Sequence, residues 1–192
     1  VVDSLLQAND WGGIATWQGG PFYVYNNISG NPNGLKYSSK SRDGYAYYQD
    51  GGFKNYLFNN VAWGRPITVD GKQIEAKGAF YQAVPTILNH YFNNTLHGFV
   101  QGSGWSPAGG RQLHLGNVWL DIHQEVFNHG RQKEDAKAQY RDYLHETIGY
   151  AHNVFRNVKS IGTIEGTGYG ARDMVEGFRA VAKEFDLWAS DV

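Results

Sequence analysis

Hydrophobic and polar positions alternate along most of the first 120 residues, in short runs broken by Gly, Asn and Asp, and the same run recurs. Four segments align: GIATWQGGPFYVYNN (13–27), GYAYYQDGGFKNYLFNN (44–60), GAFYQAVPTILNHYFNN (78–94) and GFVQGSGWSPAGGRQLHLGN (98–117). Each opens with Gly, runs through an apolar and aromatic strand to a Gln, passes a looser Gly- or Pro-bearing stretch, and enters a second strand closed by Asn. The Gln residues are Gln18, Gln49, Gln82 and Gln101; the closing residues are Asn27, Asn60, Asn94 and Asn117. Around the closing Asn, Tyr23, Tyr25 and Ile28 alternate as half-buried strands do, as do Tyr56, Phe58 and Val61, and Leu113, Leu115 and Val118.

The closing Asn residues are 33, 34 and 23 positions apart. A variable spacing around a constant core predicts stacked coils with loops of different length, and the shortest interval suits one bare turn of a parallel β-helix. The extra residues fall in the polar, turn-rich stretches 29–42 and 64–77, which are expected to be surface loops. Asn suits the sharp corner because it tolerates left-handed φ/ψ, and stacked coils would bring one Asn amide over another in a hydrogen-bonded ladder. The competing architecture is an antiparallel sandwich in which the Asn pairs fall by chance. The coil reading explains the three NN pairs, the GN and the upstream Gln together.

From residue 131 the texture changes. RQKEDAKAQYRDYLHETIGYAHNVFRNV (131–158) places Tyr140, Tyr143, Leu144, Ile148, Ala151 and Phe155 in steps of three and four, which predicts a helix face. FRNVKSIG, from Phe155, also echoes FNNVAWG, so Asn157 competes for the role of a further corner. A Gly-rich break (161–173) and a second helical stretch (174–190) follow. The fold class expected is all-β, a right-handed parallel β-helix over residues 1–130, with 131–192 a mostly helical cap or flanking segment. Residues 1–12 are too short to cap the first coil, so a preceding segment of a longer protein or another chain is expected to cover that end.

Composition changes this picture little. Lys and Arg number 17 against 18 Asp and Glu, a balance that recruits neither nucleic acid nor an anionic membrane. Without Cys there is no disulfide or thiolate metal site. No apolar run approaches the ~20 residues of a bilayer span. HETIGYAH (145–152) lacks the i, i+4 pair of a zinc protease, and His90, His97, His114, His123 and His129 show no ligand spacing, so no metal is expected. GTGYG (166–170) follows no phosphate-loop pattern, and the Ser residues lie in loops without the context of a nucleophile. NIS at Asn27 and NNT at Asn93 read as glycosylation acceptors but coincide with the expected ladder corners.

Carboxylates, amides and rings remain. SRDGYAYYQDGGF places Asp43 at the start of a strand and Asp50 at its exit beside Gln49; Asp10 should stack near Asp43. Trp17 and Tyr48 mark the same edge as the Gln residues, so stacked coils should present a flat outer row of rings and amides. Sugars suit such a row, because their C–H faces stack on aromatics and their hydroxyls pair with amides and carboxylates. Two carboxylates beside it would meet the demand of glycosidic cleavage. Asp43 and Asp50 are the expected catalytic pair, with Asp10 in reserve. Trp17, Gln18, Tyr48, Gln49, Gln82 and Gln101 are the expected substrate contacts; the alternative for the Gln residues is a structural ladder, buried or exposed, that holds no ligand.

FYVYNNISG, NYLFNNVAWG, NHYFNNTLHG and LHLGNVW resemble the coils of right-handed parallel β-helix proteins that act on polysaccharides, the pectate-lyase-like lyases and β-helical glycoside hydrolases. The resemblance covers residues 13–120. It implies a groove along the first strand, the first corner and the second strand of each coil, near Trp17, Gln18, Tyr48, Gln49, Asp50 and Gln82, and a secreted or periplasmic location. Lyases of this class use a Lys or Arg base, often with calcium held by several acids. Here Lys54 and Arg111 are isolated and no acid cluster marks the groove. That departure favours a hydrolase needing no cofactor over a calcium-dependent lyase, and leaves a non-catalytic glycan-binding module of the adhesin or tailspike kind as the alternative.

Overall fold

In the computed structural model the described residues are 1–4, 11–34, 41–106, 112–129, 149–164, 167–170 and 188–190. They form an all-β parallel solenoid in which each coil gives one strand to each of three sheets. The first coil holds β1 (Gly12–Trp17), β2 (Phe22–Tyr25) and β3 (Ile28–Gly30); the second β4 (Ser41–Phe53), β5 (Asn55–Phe58) and β6 (Val61–Trp63). The third coil, opened by the short β7 (Ile67–Val69), holds β8 (Lys72–Ile87), β9 (His90–Phe92) and β10 (Thr95–His97). The fourth holds β11 (Gln101–Ser106), β12 (Leu113–Leu115) and β13 (Val118–Leu120); the fifth β14 (Glu125–His129), β15 (Gly149–Ala151) and β16 (Val154–Arg156). β17 (Ser160–Ile164), β18 (Thr167–Gly170) and β19 (Trp188–Ser190) complete the set. Sheet I runs β1-β4-β8-β11-β14-β17-β18, sheet II β19-β15-β12-β9-β5-β2, and sheet III β16-β13-β10-β6-β3. Among the described residues every pairing between successive coils is parallel, and only β7–β8 and β17–β18 are antiparallel.

The register puts like residues in columns. On sheet III, Ser29, Ala62, Leu96, Trp119 and Phe155 are successive partners. On sheet II, Val24, Leu57, Tyr91, His114 and Tyr150 are. Both columns point inward with Tyr47, Phe80 and Phe127 of sheet I, and most of these side chains are fully buried. The strands are too short to be stable alone, and stacking converts each half-apolar strand into part of one continuous core.

The corner between sheets II and III is an asparagine ladder. Asn60 Oδ1 accepts from Asn27 N and Nδ2 at 3.1 and 3.2 Å, and Asn94 Oδ1 from Asn60 N and Nδ2, both at 3.0 Å. Asn117 Oδ1 accepts from Asn94 at 3.1 and 2.9 Å, and Asn153 Oδ1 from Asn117, both at 3.2 Å. From Asn60 onward the second Nδ2 hydrogen reaches back to a strand carbonyl of the preceding coil, Val24 O for Asn60 and Leu57 O for Asn94. The left-handed conformation belongs to the residue before each ladder Asn. Asn26, Asn59, Asn93, Gly116 and His152 have φ of 51–64°. The NN pair thus divides the labour: the first residue turns the chain and the second bonds along the stack. Asn93 is consequently exposed, outside the ladder in which its sequon had been expected to lie.

Three expectations are corrected. Residues 149–158 are not the end of a helix: Ala151 lies in β15 and Phe155 in β16, and the ladder corner is His152–Asn153. Asn157 is a corner, but the one that leaves sheet III, stacked on Asp121. The apolar spacing of three and four that suggests a helix arises here because a corner interrupts the alternation. Residues 131–148 and 171–187, the rest of the expected helical segment, lie outside the described residues; among those described there is no helix. The stretch 64–77 is also no plain loop. β7 and the first residues of β8 form a hairpin turned at Asp70–Gly71, both with positive φ (49° and 73°), as a two-residue Asp-Gly hairpin turn requires.

Candidate functional site

The outer wall of sheet I is where the expected site residues meet the structure. Two columns of outward positions are set by register: Gly12, Tyr45, Gly78, Gln101 and Glu125 in one, and Ala15, Tyr48, Tyr81 and Gly104 in the next. Trp17, at the end of β1, and its register partners Asp50 and Ala83 follow as the next outward rung. Tyr45 stacks on Tyr81 with ring centroids 4.4 Å apart, and Tyr48 lies against Tyr81 and Trp11 at 5.5 and 6.4 Å. Tyr45 and Tyr48 are nevertheless buried, so neither offers a free ring face.

Trp17 and Asp50 are brought together. They are direct partners across β1 and β4, and Trp17 is 63% exposed. The corner that follows holds them there. Gln18 turns with φ 45° and its backbone N donates to Asp50 O at 2.9 Å, while Phe53 N donates to Gly19 O at 2.9 Å. Gly20 and Gly52 are the residues that permit this closure. A Cβ on Gly20 would collide with Phe53 O, and one on Gly52 with Gly19 O; both residues also have positive φ. Two coils therefore meet backbone to backbone immediately beyond Trp17 and Asp50, leaving an exposed indole beside a half-buried carboxylate.

The other expected contacts are placed differently. Gln49 and Gln82 are register partners, but they face the interior with Tyr47 and Phe80 and are buried. Gln49 Oε1 accepts from Tyr91 OH at 3.0 Å. Gln82 exchanges hydrogen bonds with Gln112 at 2.8 and 2.9 Å and accepts from Asn89 Nδ2 at 3.0 Å and from Thr86 Oγ1. They belong to an internal amide network, and the outward row expected of them is corrected. Alternation explains it: Gln49 and Asp50 are neighbours in one strand, so they cannot share a face. Gln101 is no member of that column; its register partners are Gly78 and Glu125, and its Nε2 donates to Glu125 Oε1 at 3.4 Å. Gln18 is exposed in the corner.

Asp43 sits at the far end of the strand that carries Asp50, with its Oδ1 2.7 Å from Lys77 Nζ. Seven residues at the rise of a β-strand separate the two carboxylates by roughly 20 Å. Glycosidic cleavage requires ~5–9.5 Å between its two carboxylates. Asp43 and Asp50 are therefore not one catalytic pair. Asp10 lies outside the described residues.

Several polar groups escaped the sequence reading. Glu125, half-buried at the end of the Gly12 column, has its carboxyl pushed above the ordinary Glu range by burial. Its register could not be seen because the Gly that opens the fourth segment, Gly98, lies three residues before Gln101, the true partner of Gly78. Where the chain passes from sheet III to sheet I, His97 Nε2 lies 2.8 Å from Asp121 Oδ2 and His123 Nδ1 2.5 Å from Glu75 Oε1. The bond from Asn157 holds the Asp121 carboxyl below its usual range, helped by His97. Among the described residues no three His, Asp or Glu side chains converge as metal ligands.

No protein-family model, curated protein or solved structure matches the chain.

Proposed function

We propose that this solenoid binds polysaccharide along the outer wall of sheet I, with Trp17 and Asp50 as the principal sugar subsite. The observation that carries the reading is an indole 63% exposed at the exit of a strand, registered against a carboxylate and backed by a rigid corner. An indole joins a broad apolar face to a polar N–H, the combination that enriches Trp at binding surfaces. A pyranose places its C–H face on such a ring and directs hydroxyls to the neighbouring carboxylate, which accepts charge-assisted hydrogen bonds. Tyr81, Gln101 and Glu125 continue the wall along the stack and offer further polar contacts.

Affinity electrophoresis against a panel of plant and microbial polysaccharides tests this. At least one polymer should retard the protein, and Trp17→Ala should weaken that binding about tenfold, the equivalent of ~1.4 kcal/mol of stacking. Tyr23→Ala, on sheet II, should leave it unchanged. Retardation by none of the panel, or equal retardation of the Trp17→Ala protein, would sink the proposal.

Hydrolysis is a second reading, favoured by the position of Asp50 at the subsite. It requires a second carboxylate within catalytic reach of Asp50, a role that Asp43 cannot fill. Loss of sugar release in Asp50→Asn with polysaccharide retention intact would support it; release undiminished within a few-fold would remove Asp50 from the chemistry. Calcium-stimulated formation of unsaturated, ultraviolet-absorbing products would identify a lyase instead.

A further inference from the structure

The asparagine ladder and the outer aromatic columns of sheet II end, among the described residues, at the first coil. Among the described residues nothing donates to Asn27 Oδ1, whereas Asn60, Asn94, Asn117 and Asn153 each accept two hydrogen bonds there from the preceding coil. The backbone repeats the pattern. Val61 N donates to Asn27 O, Thr95 N to Asn60 O, Val118 N to Asn94 O and Val154 N to Asn117 O, but among the described residues the equivalent Ile28 N has no such acceptor. Two aromatic stacks end on the same side. Tyr23 lies over Tyr56 at 5.1 Å and Tyr25 over Phe58 at 5.0 Å, nearly coplanar in both cases, and their other faces are open, at 61% and 52% exposure.

Part of the missing coil is already present. Val2 bridges Gly30 in parallel, as Gly30 itself pairs with Trp63. Asp3 has φ 50° and its N donates to Gly30 O at 3.0 Å, repeating the corner bonds of Asn31 N to Trp63 O and of Asp121 N to Arg156 O. Val1–Asp3 is thus laid down as the sheet III strand and corner of a coil stacked before the first. Alignment of Val2 with Gly30 places the ladder position of that coil two residues ahead of Val1.

We infer that the open side of the first coil is the docking face of a further parallel coil that runs into Val1. Its sequence pattern is dictated by the columns it completes: rings or apolar residues four and two places before an Asn, which is itself preceded by a residue tolerant of left-handed φ. The Asn donates N–H and Nδ2–H to Asn27 Oδ1, its carbonyl accepts from Ile28 N, and the two rings cover Tyr23 and Tyr25. Such an addition is strand augmentation in parallel register, with main-chain bonds for affinity and side-chain columns for register. This inference is independent of the sugar-binding reading.

The test is the full chain extended before Val1 by a copy of residues 54–61, which sets the copied ladder Asn two residues ahead of Val1. The extended protein should melt about 3 °C or more above the original, and exchange of the Ile28 amide should slow at least tenfold. A control extension with the copied ladder Asn replaced by Ala should lose most of both effects, and so should Asn27→Ala in the extended chain, measured against the unextended Asn27→Ala protein. Unchanged exchange at Ile28 overturns the inference, whatever the melting temperature does. So does an equal gain from the control extension.

Discussion

Lowering the pH from 7 to 4 is expected to destabilise this protein by several kcal/mol and drive it toward unfolding, because two histidines are buried in its core as neutral rings. His129 is enclosed between Ser103 Oγ at 3.0 Å from Nε2 and Tyr150 OH at 2.6 Å from Nδ1, and burial pulls its pKa from 6.5 down to about 3. His114 is held well below 6.5, chiefly by burial and then by the charges of His129 and His90. It is stacked between Tyr91 and Tyr150 at 4.6 and 5.3 Å, and among the described residues neither ring nitrogen has a hydrogen-bond partner. Below pH 6.5 the unfolded chain binds protons that the folded one refuses, so stability is full above that value and falls as pH drops toward the folded pKa. Each such site costs about 1.4 kcal/mol per pH unit, so His129 alone removes about 3 kcal/mol by pH 4. His114 adds to that in the same direction, against a total stability of about 5–15 kcal/mol for a typical domain. Glu125 works the other way, since its raised pKa favours the folded state on protonation, but it is one half-buried group. Circular dichroism followed across pH should show the transition, and His114→Phe should move its midpoint to lower pH while keeping the ring column filled. A protein equally stable at pH 4 and 7 would show that these rings are not buried neutral.

The second large effect is expected at the centre of the ladder. Asn94→Ala removes the acceptor of Asn60 N and Nδ2 and the donor to Leu57 O, all within the buried corner. Each orphaned group costs about 1–3 kcal/mol, so a loss of about 3–5 kcal/mol is expected in urea unfolding. Asn27→Ala should cost less than half as much, because Asn27 is half-exposed and, among the described residues, accepts from nothing above it. Equal losses at the two positions would contradict a ladder whose interior rungs carry more than its end.

The ladder was legible because it depends on identity and approximate spacing alone. Asn27, Asn60, Asn94 and Asn117 could be matched without knowing any loop conformation, and a polar residue that recurs inside an apolar context marks a buried stack. The next member was not legible, since His152–Asn153 replaces the NN pair and sits in a stretch whose apolar steps imitate a helix face. The outer wall of sheet I was legible only in part. Trp17 and Asp50, placed on one edge, are direct register partners, because one coil's length brings equivalent strand positions together. Gln49 and Gln82 were paired correctly but assigned the wrong face, and Asp43 was paired with an Asp that lies on its own strand some seven residues away.

What the amino-acid sequence by itself determined is the local rule of this protein: short strands, corners able to adopt positive φ, and an Asn at one fixed place in each coil. Those properties reside in single residues and their immediate neighbours. Which side of each strand looks inward, which coil positions share a rung, and whether a residue such as Glu125 or His114 is buried were decided only by the stacked structure. Register couples residues more than twenty positions apart, and a shift of one residue turns every side chain of a strand to its opposite face.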